Sequence, residues 1–82
     1  MKKDFVFAGL REKASQSGRM YGDIYVYDLL PDGTADFIQQ SFRTFDDSVL
    51  SACRKLGAGD IVSLDLFIKD AFVQGVDVHV EL

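Results

Sequence analysis

The stretch Ser15-Gln16-Ser17-Gly18-Arg19-Met20-Tyr21-Gly22-Asp23-Ile24-Tyr25-Val26-Tyr27 decides the fold, because it joins a small polar loop to an alternating strand. Successive side chains of a strand point to opposite faces of the sheet. Four residues therefore share one face: Tyr21, Asp23, Tyr25 and Tyr27. Ile24 and Val26 occupy the other face, which their aliphatic side chains assign to the core. The pattern predicts a strand over Tyr21–Leu29 with three outward phenol rings.

The loop before this strand carries Arg19 beside the three rings. Exposed aromatic rings next to a cation are the groups that stack on unpaired bases and contact the phosphate backbone. Tyrosine also has a high propensity for strands, which is the alternative interpretation of the same residues. The segment by itself leaves both interpretations open.

The rest of the chain supplies four more strands and one helix. Alternation of apolar and polar residues predicts strands over Asp4–Lys13, Ala35–Phe42, Ile61–Ile68 and Phe72–Leu82. Pro31-Asp32-Gly33 is typical of a turn, since proline restricts one dihedral angle and glycine supplies a positive one. Thr44 is the expected N-cap of a helix ending near Leu56, whose apolar stripe is Val49, Leu50, Cys53 and Leu56.

The order strand, strand, strand, helix, strand, strand is the order of an OB-fold. We therefore predict a mainly β protein, a five-stranded OB-fold barrel with one short helix between strands 3 and 4, formed by residues 1–82 as one domain. In this barrel, strands 2 and 3 and the loops joining strands 1–2 and 4–5 bind oligonucleotides or oligosaccharides. The tyrosine strand and the Arg19 loop coincide with that site.

Composition excludes several classes of protein. Hydrophobic content of 48% and charged content of 27% are those of a soluble globular domain. The apolar runs are too short for a membrane span and no secretory segment follows Met1, so a cytoplasmic protein without a membrane partner is expected. With one cysteine and one histidine, neither a disulfide framework nor a zinc site rich in these residues is available, and no cofactor is predicted.

The formal net charge is −4, which argues against a general polyanion binder. The charge is nevertheless asymmetric: residues 1–20 hold five cationic and two acidic side chains, whereas the remainder holds four cationic and eleven acidic ones. This distribution is compatible with a local basic groove on an acidic body.

Ser15–Tyr21, with the alternating strand that follows, resembles the loop and second strand of OB-fold single-stranded-DNA-binding proteins, including the small filamentous-phage gene V type. Gly59–Val80 is similar to the closing hairpin of such proteins, and Ser41-Phe42 resembles the third strand of the bacterial single-strand-binding family. The resemblance implies sequence-tolerant binding of single-stranded DNA in replication or transfer of a phage or mobile element. The residues themselves do not distinguish DNA from RNA, because that distinction depends on contacts to the 2′-hydroxyl.

The predicted nucleic-acid-binding residues follow from this resemblance and from the strand pattern: Arg11, Lys13, Arg19, Tyr21, Tyr25, Tyr27, Phe37 and Arg43. Arg19 would contact phosphate, Tyr21 with Tyr25 or Tyr27 would stack on bases, and Arg11 and Lys13 would steer the backbone. Phe37 has a second interpretation, core packing, which is favoured because aromatic residues dominate small cores. A homodimer is expected, since a domain this small contacts few nucleotides and pairing raises avidity.

An enzyme is not predicted, and no small-molecule substrate is expected. Asp77, His79 and Glu81 alternate on one strand face and could bind a metal or transfer protons, but a solvated strand face explains them better. Cys53 lies on the apolar stripe of the helix and is expected in the core. The alternative function is an acidic protein-interaction module or nucleic-acid mimic, suggested by eleven aspartates against two glutamates.

Overall fold

The computed structural model describes the backbone of residues 2–69 and 72–80 and the side chains of residues 3–65. Its elements follow the predicted order: β1 (Lys2–Ala14), β2 (Met20–Leu29), β3 (Ala35–Thr44), α1 (Asp47–Arg54), β4 (Ile61–Lys69) and β5 (Phe72–Val80). Each predicted strand is present, and the mainly β class with one short helix between strands 3 and 4 is confirmed. The predicted end of the fifth strand, residues 81–82, lies outside the described residues.

The strands form one antiparallel sheet in the order β3-β2-β1-β4-β5. The long strand β1 is central: its first residues, Lys2–Val6, pair with β4, and most of its length pairs with β2. The register of β1 shifts between Phe7 and Gly9, which leaves Ala8 as a bulge. A bulge increases the local bend and twist of a strand. The bend allows β1 to pair with both β4 and β2, although these two strands diverge from each other.

The predicted closed barrel is not present. Within the described backbone, β3 pairs only with β2 and β5 only with β4, so these two strands are the edges of the sheet. Cα atoms of β3 and β5 approach within 8 Å. A ladder would need the strands about 4.8 Å apart with aligned backbone groups, and none joins them. The sheet is therefore curved but open.

The core lies between the inner face of this sheet and α1. Its buried hydrophobic residues are Phe5, Phe7, Ile24, Val26, Val49, Leu50, Cys53, Val62 and Leu64. Ile24 and Val26 are fully buried, as the alternation of β2 predicts. Phe42 of β3 meets the Phe5 ring edge-on, with the centroids 5.6 Å apart. This packing leaves the opposite face of β1, β2 and β3 to solvent.

Gly22 allows the helix to pack on the sheet. A Cβ atom at this position would lie 2.5 Å from Cδ2 of Leu50 and 2.9 Å from Cδ1 of Leu10. Both distances are far below van der Waals contact, so the fully buried Leu50 occupies the space that a side chain at position 22 would need. The glycine is required by this close approach.

The helix begins later than the sequence pattern predicts. Its N-cap is Asp46, whose carboxylate accepts a hydrogen bond from the Ser48 backbone N–H at 2.8 Å. The predicted cap, Thr44, is the buried last residue of β3, and its hydroxyl accepts from the Asp46 N–H at 3.2 Å. The sequence around Thr44 fits both a threonine that ends a strand and a threonine that caps a helix. The structure decides between them because β3 extends to Thr44 and the cap is Asp46.

Two hairpin turns are closed by local hydrogen bonds. Between β2 and β3, the Leu30 N–H donates to Thr34 O at 2.8 Å, and Gly33 has a φ of 86°, as the predicted turn requires. The Asp32 carboxylate accepts from the Thr34 hydroxyl and backbone N–H, which lowers the pKa of Asp32. The loop between β1 and β2, residues 15–19, is a similar tight turn.

We predict that Gly22→Ala lowers the free energy of unfolding by about 1 to 3 kcal/mol, because overpacking forces Leu50 and Leu10 to move. Chemical denaturation measures the change. In a Leu50→Ala background the same glycine substitution should cost less, since the nearest clashing atom is gone. Gly9→Ala is the control, because a Cβ there meets nothing within 4 Å. Equal effects at positions 9 and 22 would contradict the packing argument.

Acid should destabilise the protein through three carboxylates whose pKa values are lowered by hydrogen bonds: Glu12, Asp32 and Asp46. A carboxylate with a lower pKa in the folded state stabilises that state above its unfolded pKa, ordinarily 3.8 for aspartate and 4.5 for glutamate. This stabilisation is lost as the pH falls through the lower folded values. Denaturation midpoints should therefore decrease as the pH is lowered from about 6 to about 2, which is roughly two units below the ordinary carboxylate pKa values.

Asp46→Asn separates the titration from the cap, because asparagine caps helices as well as aspartate does. The variant should unfold at nearly the wild-type midpoint at pH 7 and lose less stability on acidification. An unchanged pH dependence would contradict a role for the Asp46 carboxylate.

Candidate nucleic-acid interface

The outward surface of β1, β2 and β3 carries the three tyrosines, and we call it the tyrosine face. Directly opposed residues of antiparallel strands lie on the same side of the sheet. From the turn end, the rows are Lys13 and Tyr21; Arg11, Asp23 and Arg43; Gly9, Tyr25 and Ser41; and Val6, Tyr27 and Gln39. All three tyrosines are half-buried, as expected for rings lying on a sheet surface.

Arg19 is brought to this face by the turn between β1 and β2. The Ser15 N–H donates to Arg19 O at 2.8 Å, and the Gly18 N–H donates to Ser15 O at 2.9 Å. Gly18 has a φ of 82°, a region that glycine adopts without strain. The Ser15 hydroxyl also accepts from the Arg19 N–H, so the backbone of Arg19 is held by the turn itself.

Arg19 is one end of a stack in which two aromatic rings lie between two guanidinium groups. The Arg19 guanidinium lies 4.9 Å from the centroid of the Phe45 ring. The Phe45 and Tyr21 centroids are 5.3 Å apart with the planes at 38°, and the Arg43 guanidinium lies 4.6 Å from the Tyr21 centroid. Cation–π contacts of this kind are worth about 0.5 to 1 kcal/mol at exposed sites. Tyr21 thus already contacts one ring, that of Phe45, and one cation, that of Arg43, and is less available to a base than the other tyrosines.

Asp23 is the one carboxylate in the four rows. Its Oδ1 accepts a hydrogen bond from Nε of Arg43 at 3.0 Å. The Asp23 side chain is 13% exposed and that of Arg43 is 56% exposed, so the guanidinium covers the carboxylate. Hydrogen bonding and Coulomb attraction from Asp23 raise the pKa of Arg43. Arg11 and Lys13 are exposed and make no ion pair with the described side chains.

Tyr25 lies in the centre of the face between two small residues. Gly9 stands on one side and Ser41 on the other, and the space above Gly9 is empty to at least 4 Å from an ideal Cβ. No ring or cation contact to Tyr25 occurs among the described residues. The next ring, Tyr27, accepts a hydrogen bond on its hydroxyl from the Gln39 amide at 3.3 Å. Tyr25 is therefore the one tyrosine of the three that has neither an aromatic, a cation–π nor a side-chain hydrogen-bond partner among the described residues.

Phe37 is 90% exposed, so the interpretation that favoured core packing is wrong. It lies where the register between β2 and β3 is irregular, beyond the pair of Tyr27 and Gln39. Ile38 next to it is 59% exposed. Phe37 shares the outward face with Gln39 and Ser41, and the exposure of Ile38 on the other face shows that the core does not extend to this part of β3.

The structure brings seven of the eight predicted residues together: Arg11, Lys13, Arg19, Tyr21, Tyr25, Tyr27 and Arg43. The eighth, Phe37, is exposed at the far end of β3. Phe45, 41% exposed, was missed because the predicted strand ended at Phe42. The available signal was alternation: Phe45 continues the odd-numbered series of Ser41 and Arg43.

Outside the tyrosine face, the described residues include neither a metal-binding cluster nor an exposed cysteine. No group of three histidine, cysteine, aspartate or glutamate residues there could hold a metal ion. The side chains of Asp77, His79 and Glu81 lie outside the described residues. Cys53 is buried as predicted, and burial raises the pKa of its thiol to about 11. It lines an open depression of about 340 Å³ beside the ion pair of Glu12 and Arg54.

No helix within residues 2–69 and 72–80 has the length and apolar character that a membrane span requires. No protein-family model, curated protein or solved structure matches the chain significantly. The resemblance to single-stranded-DNA-binding proteins therefore stays a prediction, and the geometry of the tyrosine face carries the functional argument.

We predict that Phe37→Ala changes the free energy of unfolding by less than about 0.5 kcal/mol, as expected for an exposed side chain away from the core. Phe5→Ala is the matched control: Phe5 is 1% exposed, and its truncation should cost about 3 to 5 kcal/mol. Chemical denaturation of both variants provides the comparison. A large loss for Phe37→Ala would mean that its ring packs against the protein in solution.

Proposed function

We propose that the protein binds single-stranded nucleic acid on the tyrosine face, with little dependence on sequence and with DNA preferred to RNA. The observation that carries the proposal is the half-buried Tyr25 ring, which lies between the small residues Gly9 and Ser41 on a face bordered by cationic side chains. Every base has a π face, so stacking on such a ring is tolerant of sequence.

The shape of the Tyr25 row suits one base. Because Gly9 has no side chain and Ser41 a short one, neither of these two cross-strand neighbours obstructs a planar base that stacks on the phenol ring. Tyr27 in the next row offers a second ring. Stacking contributes about 1 to 3 kcal/mol per base, so two rings supply useful affinity.

Electrostatics favours the same face. Arg11, Lys13, Arg19 and Arg43 accompany the single carboxylate of Asp23, although the whole chain has a formal net charge of −4. Phosphates are attracted to a local cationic surface and repelled by the acidic remainder. The charge distribution thus favours one orientation of a bound strand.

The fold supports this location of the site. The order β3-β2-β1-β4-β5, with α1 between β3 and β4, is the order of an OB barrel opened between β3 and β5. We propose an open variant of the OB arrangement. Its oligonucleotide-binding elements would be β2, β3 and the turn between β1 and β2, which are the elements of the tyrosine face.

A homodimer acting in replication or transfer of a phage or mobile element is part of the proposal. Two copies would offer a longer site than one small domain and would bind a strand more tightly through avidity. Light scattering at micromolar concentrations tests the dimer, and a monomer throughout that range would exclude it.

The second candidate function is an acidic interaction module or nucleic-acid mimic. It is favoured by the eleven aspartates, of which one lies in the four rows of the tyrosine face. A mimic should repel oligonucleotides and bind a basic protein, whereas a single-strand binder should bind oligonucleotides with strong salt dependence.

The decisive experiment is fluorescence anisotropy of a labelled oligothymidine of about 20 nucleotides, longer than the site of one OB domain. We expect Tyr25→Leu to raise Kd by a factor of roughly 5 to 150, the equivalent of one stacked base. Tyr25→Phe keeps the ring and should bind like wild type. A duplex and an oligouridine of equal length test the preference for single strands and for DNA.

Arg19→Ala should weaken binding and reduce the salt dependence, since each phosphate contact to a single strand contributes about −0.7 to the slope of log K against log salt. Lys55→Ala is the matched control, because Lys55 is an exposed cation at the end of α1, away from the tyrosine face. Absence of binding by the wild type at low salt would refute the proposal and favour the acidic module.

A further inference from the structure

We propose that Asp23 is a positioning residue, which holds Arg43 so that its terminal amino groups bind a phosphate of the nucleic acid. This inference rests on the proposed function and adds the role of the one carboxylate in the four rows of the tyrosine face. A carboxylate among cations on a surface for polyanions otherwise appears unfavourable, since it repels phosphate.

The hydrogen bond uses only one edge of the guanidinium. Asp23 Oδ1 accepts from Nε of Arg43 at 3.0 Å, and the terminal amino groups of Arg43 donate to no described residue. An arginine has five N–H donors in a fixed plane, and the edge formed by its terminal groups matches two phosphate oxygens. No side chain of residues 3–65 therefore occupies the edge suited to phosphate.

Asp23 and Arg43 differ in solvent exposure. The Asp23 side chain is 13% exposed and lies beneath Arg43, which is 56% exposed. A phosphate approaching from solvent meets the guanidinium first. Asp23 also stands directly opposite Arg11 in the register, so its charge is flanked by two cations. The Asp23 carboxylate is consequently shielded from a bound phosphate by the positive charges of Arg43 and Arg11.

The ring of Tyr21 supports the guanidinium from another direction. The Arg43 guanidinium carbon lies 4.6 Å from the Tyr21 centroid, and Tyr21 contacts Phe45 in turn. A side chain held at Nε and against a ring loses less conformational freedom on binding than a free arginine. The bound phosphate would lie at the border of the Tyr25 row, where the adjoining base stacks.

The test is the oligothymidine titration with Asp23→Ala, Asp23→Asn and Arg43→Lys. Asp23→Ala changes the net charge from −4 to −3, so electrostatics alone predicts tighter binding. A positioning role predicts the opposite: Kd should rise about tenfold, and the salt slope should shrink by about 0.7 as the phosphate contact is lost. Asp23→Asn keeps an oxygen acceptor for Nε and should restore binding to the wild-type level or better.

Arg43→Lys keeps the charge but lacks the planar donor edge, and it should bind as weakly as Asp23→Ala. In an Arg43→Ala background, Asp23→Ala should no longer weaken binding, because the residue it positions is absent. Asp47→Asn, an exposed aspartate on α1, is the control for a general change of charge. Tighter binding of Asp23→Ala would overturn the inference and identify Asp23 as a competitor of phosphate.

A measurement without nucleic acid separates this inference from the proposed function. The Arg43 Nε–H resonance in a ¹⁵N NMR spectrum should be protected from exchange in the wild type and in Asp23→Asn, and it should exchange rapidly in Asp23→Ala. Unprotected Nε–H in the wild type would refute the positioning role whether or not the protein binds DNA. Protection together with no oligothymidine binding would refute the proposed function and with it the phosphate role of Arg43.

Discussion

The packing of Leu50 against the backbone of Gly22 is the constraint on which the rest of the structure depends. The absent side chain at position 22 lets α1 approach β2 closely, and the helix then covers the inner face of the sheet. Because the inner face of β2 is occupied in this way, its odd-numbered residues must face solvent. The arrangement of the core thus determines that the three tyrosines lie together on an exposed surface.

That surface has two parts with different properties. Near the turn, the rings of Phe45 and Tyr21 pack against each other and each has a guanidinium over it, that of Arg19 on Phe45 and that of Arg43 on Tyr21, which stabilises the end of the sheet. Further along β2, the half-buried Tyr25 has small cross-strand neighbours, Gly9 and Ser41. Rings already in contact stabilise the protein, and rings without partners are available to a ligand, so the same residue type serves both purposes on one strand.

Much of this structure follows from local patterns. Alternation along β2 predicts its buried and exposed faces, and the Pro31-Asp32-Gly33 segment predicts the hairpin turn, because both depend only on backbone geometry. The Thr44 cap was wrong, since the same local signature fits a strand end. Phe37 was wrong as a core residue, because it belongs to the outward, odd-numbered series of Gln39, Ser41 and Arg43, so the high frequency of aromatic residues in small cores did not apply to it.

The sequence by itself determined the order of elements, the outward tyrosines and the cationic loop, since these depend on the side-chain period of a strand and on turn chemistry. Only the tertiary structure decided which residues become neighbours across strands. The opening between β3 and β5, the pair of Asp23 and Arg43, and the contact of Phe45 with Tyr21 all arise from register and packing. Such contacts join residues distant in sequence, and their geometry depends on how the whole sheet bends around the core.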